Sequence, residues 1–372
     1  MKKILVLFGT RPEAIKLCPL LLHLRKFPNE FDVRACVTAQ HRSMLDQVLD
    51  TFQVVPEYDL NLMLPGQTLF QSTSRILAAL EPVFKDFQPD LAIVQGDTTT
   101  TLAGALGAFY ARVPVGHVEA GLRTFDLTQP FPEEMNRVVT TRLASLHFAA
   151  TSMSAANLAR EGVAADTISI TGNTGIDAVL YIKDLLESGR LAGQPWPQLD
   201  PTKKLLVVTA HRRESFGAGF DRICSALKTL AARDDIQIVY PVHPNPNVTD
   251  PVKRLLGDCP NIFLPQPLDY VAFVDLMRRA YLLITDSGGV QEEGPSLGKP
   301  ILVLREKTER PEAVEAGTVR LVGSDPVKIL AEANLLLDSP EEYDRMSRVH
   351  NPYGDGRAST LISAAIRCFF SK

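Results

Sequence analysis

The chain has no run of 18 or more apolar residues, so nothing in it reads as a membrane-crossing helix. It also lacks a surplus of positive charge. Its 39 Lys and Arg against 43 Asp and Glu leave a net charge of −4, which gives no general surface for nucleic acid or an anionic membrane. An acidic ligand would need a local basic site. Cysteines are few and odd in number: Cys18, Cys36, Cys224, Cys259 and Cys368 are scattered, without metal-ligand or redox spacing. Neither a disulfide framework nor a bound metal is expected. The apolar run Ile4–Phe8 is too short for the hydrophobic segment of a signal peptide and charges follow it at once, so a cytoplasmic protein is expected.

What is present is length and a repeating pattern. At 372 residues the chain exceeds the roughly 250–300 over which one core keeps growing, so two domains are expected. Short apolar strands alternate with amphipathic helices: strands at Ile4–Phe8, Val33–Val37, Leu91–Gln95, Val115–Val118 and near His147–Ala150, with helices over about 12–26, 44–52, 69–87, 99–111 and 133–145. Near-continuous apolar strands between helices point to a buried parallel sheet. The stretch ESGRLAGQPWPQLDPTKK (187–204) breaks the alternation and reads as a surface connection. It resumes with strands at Leu205–Thr209, Ile236–Val242, Leu282–Thr285 and Ile301–Leu304. The fold class is therefore α/β, with two Rossmann-like domains: 1–172, 173–355, and a C-terminal helix in 356–372 with the N-terminal domain as its candidate partner.

In open α/β sheets ligands lie beyond the carboxyl ends of the strands, and there the unusual residues gather. Ile4–Phe8 leads into Gly9-Thr10-Arg11, Leu91–Gln95 into Gly96-Asp97, and Val115–Val118 into Glu119. Leu205–Thr209 leads to His211-Arg212, Ile236–Val242 to His243, and Leu282–Thr285 to Asp286-Ser287-Gly288-Gly289. Arg11, at a helix start with Lys16 one turn on, suits an anion, although a capped helix with a solvated arginine gives the same pattern. Asp97 reads equally as an N-cap. Glu119 directly ends an apolar strand, where a charge is usually paired or functional. His117 and Glu119 share a face at strand spacing, but no third ligand accompanies them. Glu133 and Glu134 open a helix and suit its dipole without any function. Phe273 falls in an amphipathic pattern and reads as core. In ITDSGGVQEEG (284–294), Glu293 lies about a turn beyond Gly289, while Glu292 points roughly 100° away and reads as structural.

The segments FGTRPEAIK (8–16), TAQHR (38–42), GDTTTT (96–101), GHVEAGLRT (116–124), PEEMNR (132–137), GNTGIDA (172–178), HRRESFG (211–217), TDSGGVQEE (285–293), TERPEAVEAGT (308–318) and HNPYGDG (350–356) follow one another in order. With them the chain resembles the bacterial non-hydrolysing UDP-N-acetylglucosamine 2-epimerases from end to end. The resemblance implies a GT-B architecture with the active site in the interdomain cleft, a homodimer, and no cofactor or metal. It implies interconversion of UDP-GlcNAc and UDP-ManNAc by anti elimination of UDP, a 2-acetamidoglucal intermediate and re-addition, supplying ManNAc for surface polysaccharides. It matches Asp97, Glu119, Glu133 and His211 to catalytic positions. Arg11, Lys16, Arg212, Phe273, Ser287, Gly288, Gly289, Glu293 and Arg310 match substrate-binding positions. Gln40, Glu134 and His243 match positions implicated in activation by a second UDP-GlcNAc. Ser43 and Gly66 stand where activator-responsive relatives carry a longer amide and an arginine, so strict activation is not implied.

Three alternatives stand beside this reading: a GT-B glycosyltransferase using a UDP-sugar donor, a hydrolysing epimerase, and a non-catalytic sugar-nucleotide sensor. A sensor needs only the basic and glycine-rich elements, which leaves three carboxylates and a histidine without a task.

Overall fold

Strands whose side chains are apolar on both faces must be covered on both faces, and that requirement organises the protein. A computed structural model describes every residue except Gln40, His41, Met63, Pro65 and Lys372, and the side chains of Arg42 and Ser43. The chain divides into two compact units, Met1–Ala178 with Tyr353–Lys372, and Val179–Pro352.

Among the described residues the first unit holds seven strands: β1 (Lys2–Phe8), β2 (Phe31–Val37), β3 (Tyr58–Asp59), β4 (Leu91–Gln95), β5 (Val115–Ala120), β6 (Leu146–Ala149) and β7 (Ile168–Ile170). They pair in the order β3-β2-β1-β4-β5-β6-β7, and every ladder is parallel. Ile4 to Phe8 have no solvent exposure. Leu5, Leu7, Ala92 and Val94 pack against Ile76, Leu80, Phe84 and Phe87 of the helix Leu69–Phe87 and against the small-residue face of the helix Thr99–Tyr110. Gly104 of that second helix lies so close to the sheet that a Cβ would come within 3.1 Å of Val94 and 3.2 Å of Leu7. The helix Ala358–Ser371 packs on the helix Arg11–Arg25, and Arg367 stacks over Phe27 at 4.2 Å and pairs with Glu30 at 2.6 Å.

The second unit has six strands: β8 (Lys204–Thr209), β9 (Ile236–Val239), β10 (Ile262–Phe263), β11 (Leu282–Thr285), β12 (Ile301–Val303) and β13 (Val319–Leu321). Their order is β10-β9-β8-β11-β12-β13. Counted within the unit this is 3-2-1-4-5-6, the doubly wound Rossmann order. In each sheet the order reverses beside the first strand, between β1 and β4 and between β8 and β11. Successive crossovers there leave toward opposite faces, and a crevice opens at the carboxyl ends. The segments Gly9–Arg11 and Gly96–Thr98 flank one such point; Ala210–Arg212 and Asp286–Gly288 flank the other.

The sequence pattern places the central strands to within a residue or two and omits β3, β7, β10 and β13, each of two or three residues. It also carries one strand too far: β9 ends at Val239 rather than Val242, because Pro241 offers no N–H to a ladder.

Past β5, Gly121 adopts a left-handed φ of +89°, and a Cβ there would lie 2.2 Å from the Ser154 carbonyl oxygen. Backbone cannot rotate away as a side chain does. Gly121→Ala is therefore expected to destabilise the protein by at least about 2 kcal/mol, from overpacking and a disfavoured φ together. Urea unfolding checks this, and an unchanged midpoint would contradict the close approach.

Candidate functional site

In the first unit the loops after β1 and β4 are tied together by one buried carboxylate. Thr10 caps the helix Arg11–Arg25 and forms a capping box with Glu13. Glu13 is 1% exposed and accepts from the Gly9 N–H (3.0 Å), the Thr10 N–H (2.8 Å), the Thr98 hydroxyl (2.6 Å) and the Thr101 hydroxyl (3.2 Å). Burial pushes its carboxyl above the usual range, and hydrogen bonds from Thr98, Thr10 and Gly9 oppose that shift. Arg11 is exposed at the first helical position and has no side-chain partner among the described residues.

Asp97 is held from the helix Glu133–Leu143. The Arg137 guanidinium donates to Asp97 Oδ2 at 2.9 Å and to Glu134 Oε2 at 2.9 Å, and Asn136 donates to the Asp97 carbonyl at 2.7 Å. Glu134 is fully buried and its other oxygen accepts the N–H groups of Thr124 and Phe125, both at 3.0 Å. Glu133 precedes Arg137 by four residues and so shares its helix face. It is half-buried, and among the described residues its carboxylate has no hydrogen-bond or ion-pair partner.

Glu119 stands at an irregularity. The β5–β6 register shifts between Val118 and Ala120, and Glu119 has φ +63°. A non-glycine residue there costs on the order of 1–3 kcal/mol and concentrates at functional positions. The bulge breaks the two-residue alternation, so Glu119 does not share a face with His117 in the way strand spacing implies. Glu119 accepts from Lys16 Nζ at 2.5 Å and from the Gln95 amide. Lys16 therefore lies against a site carboxylate. His117 is fully buried; its Nε2–H donates to the Gly96 carbonyl at 2.7 Å and, among the described residues, Nδ1 has no hydrogen-bond partner.

In the second unit His211 leaves β8 with its side chain 39% exposed. It stacks on the exposed His243, with ring centroids 5.4 Å apart and planes 18° from parallel. Burial pushes its imidazole below the ordinary range, Arg212 and His243 add to that, and Asp286 opposes it. The backbone N–H groups of His211 and Arg212 both donate to Asp286 Oδ2, at 2.6 and 2.7 Å. Ser287, Gly288 and Gly289 open the short helix Gly288–Glu293. The Arg310 guanidinium lies over Gly288, where a Cβ would be 2.6 Å from its central carbon. It pairs with Glu292 at 2.9 Å and Glu309 at 2.9 Å. Glu292 is buried, whereas Glu293 and Phe273 are half-buried.

The expected residues are thus divided between the two units, with Lys16 against Glu119 in the first and His211 against His243 in the second. Gln40 lies outside the described residues. Glu13, Gln95 and Arg137 join the expected residues without having been singled out from the sequence, and Asp286, noted there only at its strand end, joins them as the acceptor of the His211 and Arg212 N–H groups. For Arg137 a signal existed: Glu134 and Arg137 are three apart on a helix. Asp286, like Glu119, is an acid at the end of an apolar strand.

His117 gives a pH test. Burial lowers its pKa from about 6.5 to about 3, so the unfolded chain takes up a proton that the folded chain refuses. Its contribution is present above about pH 6.5 and is lost as pH falls toward 3, at up to about 1.4 kcal/mol per pH unit. Urea unfolding at pH 7 and pH 5 is expected to show a smaller loss in His117→Gln than in the wild type. Equal losses would mean that His117 is not refused its proton.

The family pattern described as UDP-N-acetylglucosamine 2-epimerase matches residues 24–367. UDP-N-acetylglucosamine 2-epimerase of Escherichia coli (strain K12) is 57% identical over 370 residues, covering 98% of each chain. Among solved structures, the UDP-GlcNAc 2-epimerase of Neisseria meningitidis bound to UDP-GlcNAc superposes with a TM-score of 0.89 at 46% identity, over 98% of this chain and 100% of that one. The Methanocaldococcus jannaschii UDP-GlcNAc 2-epimerase in complex with UDP-GlcNAc and UDP gives 0.76 at 32% identity, over the full length of both chains.

Proposed function

The chain belongs to the UDP-N-acetylglucosamine 2-epimerase family, and from that premise we propose that it interconverts UDP-N-acetylglucosamine and UDP-N-acetylmannosamine without hydrolysis. The observation that carries this reading is the set of carboxylates in the first unit. Inverting C2 requires proton exchange on both ring faces, so at least two acid/base groups must flank the sugar. Asp97 is oriented by Arg137, Glu133 shares the Arg137 helix face, and Glu119 is held in a strained conformation by Lys16 and Gln95.

The proposed course is anti elimination. One carboxylate, Asp97 or Glu133, takes the C2 proton as the C1–O bond breaks and UDP departs, leaving 2-acetamidoglucal. A carboxylate on the opposite face then returns a proton to C2 as UDP adds back to C1. Departing diphosphate needs positive charge in place before the bond breaks. His211, Arg212 and Arg310 of the second unit and Arg11 of the first are assigned that task, with Gly288 and Gly289 offering backbone N–H groups and Ser287, whose own N–H donates to the Thr285 hydroxyl, offering its side chain. Glu293 is assigned the ribose hydroxyls and Phe273 the uracil.

The same proposal includes a cytoplasmic homodimer that supplies ManNAc for surface polysaccharides. Phe109 and Tyr110, 58% and 66% exposed at the end of the helix Thr99–Tyr110, have ring centroids 6.5 Å apart, which supports a self-associating face. A role in activation is kept for Gln40, Glu134 and His243. His243 is exposed beside His211, as a second ligand there would need, whereas Glu134 would act from inside, through Arg137.

Incubation with UDP-GlcNAc in D2O tests the reaction, with C2 followed by NMR. Deuterium at C2 together with UDP-ManNAc is the expected result. Free ManNAc, transfer only to an added acceptor, or no exchange would each contradict it.

A further inference from the structure

The loop that carries His211 is fixed from behind at three points. Tyr240, fully buried, donates its hydroxyl to the Ala210 carbonyl at 2.7 Å. Asp286 Oδ2 takes the N–H groups of His211 and Arg212, and the Thr209 and Thr285 hydroxyls bond at 2.5 Å between the strands on either side. Asp286 itself has no solvent exposure. Its second oxygen, Oδ1, has no hydrogen-bond partner among the described residues and lies 3.7 Å from His211 Nδ1. A buried, unpartnered carboxylate oxygen is costly, and this one faces an imidazole nitrogen.

We infer that Asp286 is a positioning residue that holds His211 with its proton on Nδ1 and Nε2 turned outward. The inference rests on the assignment of His211 to the departing phosphate. A separation of 3.7 Å is ion-pair range, and a shift of under about 1 Å brings it to a hydrogen bond; such bonds often tighten only when substrate is present. With Nδ1–H tied to Asp286, Nε2 is the nitrogen that takes a proton from solvent before turnover. The resulting imidazolium meets the developing phosphate charge while Asp286 balances it from behind. The pair makes and breaks no bond to carbon. The other groups facing the imidazole, Arg212 and His243, both disfavour its charged form, so among these neighbours Asp286 alone favours it. The neutral Tyr240 hydroxyl is committed to Ala210.

Asp286→Asn keeps the shape and can still accept the two backbone N–H groups. Its amide N–H would then face Nδ1 and reverse the tautomer. Two measurements on the full-length protein test the proposal. In wild type labelled with 15N-histidine, with His211 assigned by loss of its signals in His211→Asn, the neutral ring is expected to carry its proton on Nδ1. In Asp286→Asn the proton is expected on Nε2, with kcat lowered on the order of 10²–10⁴-fold and KM little changed. A wild-type proton on Nε2 overturns the proposal, whether or not the variant folds. So does a variant with lower thermal stability but unaltered tautomer and kcat, which would make Asp286 only a loop anchor. Failure of the epimerase reading would show instead as absence of C2 exchange in the wild type, with the tautomer measurement unaffected.

Discussion

One guanidinium organises the first unit's site. Arg137 is nearly buried, with its side chain 10% exposed, and is bound by Asp97 on one side and the fully buried Glu134 on the other. Removing one member of such a group would leave a charge without compensation, which costs about 3–5 kcal/mol. Through Glu134 the same group fixes the backbone at Thr124 and Phe125, and through Arg137 it fixes Asp97. The loop after β4, the loop after β5 and the helix Glu133–Leu143 thus share one set of charges. Glu13 does the corresponding work between the loops after β1 and β4 with hydrogen bonds instead.

Two adjacent pairs of glutamates divide in the same way. A helix turns about 100° per residue, so neighbours cannot face alike. Glu134 and Glu292 turn inward, each onto an arginine, Arg137 and Arg310. Glu133 and Glu293 are left half-buried. The inward member supplies rigidity, and the proposed reaction gives the ligand-facing role to the outward member. In the proposed reaction this separates chemistry from support: Glu133 works on the sugar and Glu293 on the nucleotide.

The α/β fold was legible because its central strands are apolar on both faces and end within a few residues, too short for helices, which run to about 10–12 residues or more. β3 and β10, of two residues each, show no such pattern, and their places come from pairing with longer neighbours. The gathering of charges at strand ends followed from strand positions alone. What the sequence could not supply was direction. Period-two spacing puts His117 and Glu119 on one face, yet the bulge at Glu119 separates them. Lys16 reads as a cation suited to an anion near a helix start, and its pairing with Glu119 is not visible in the sequence. Such pairings depend on contacts between residues about a hundred positions apart, and no local pattern carries them.

The proposed reaction divides the labour, with acid/base carboxylates in the first unit and nucleotide contacts mainly in the second. The most direct test compares two measurements on Asp97→Asn: C2 exchange with solvent, and UDP binding by calorimetry. Exchange is predicted to vanish while UDP affinity stays within a few-fold of wild type, since that carboxylate is assigned to the sugar. Loss of UDP binding in this variant would make Asp97 a ligand clamp and contradict the claim.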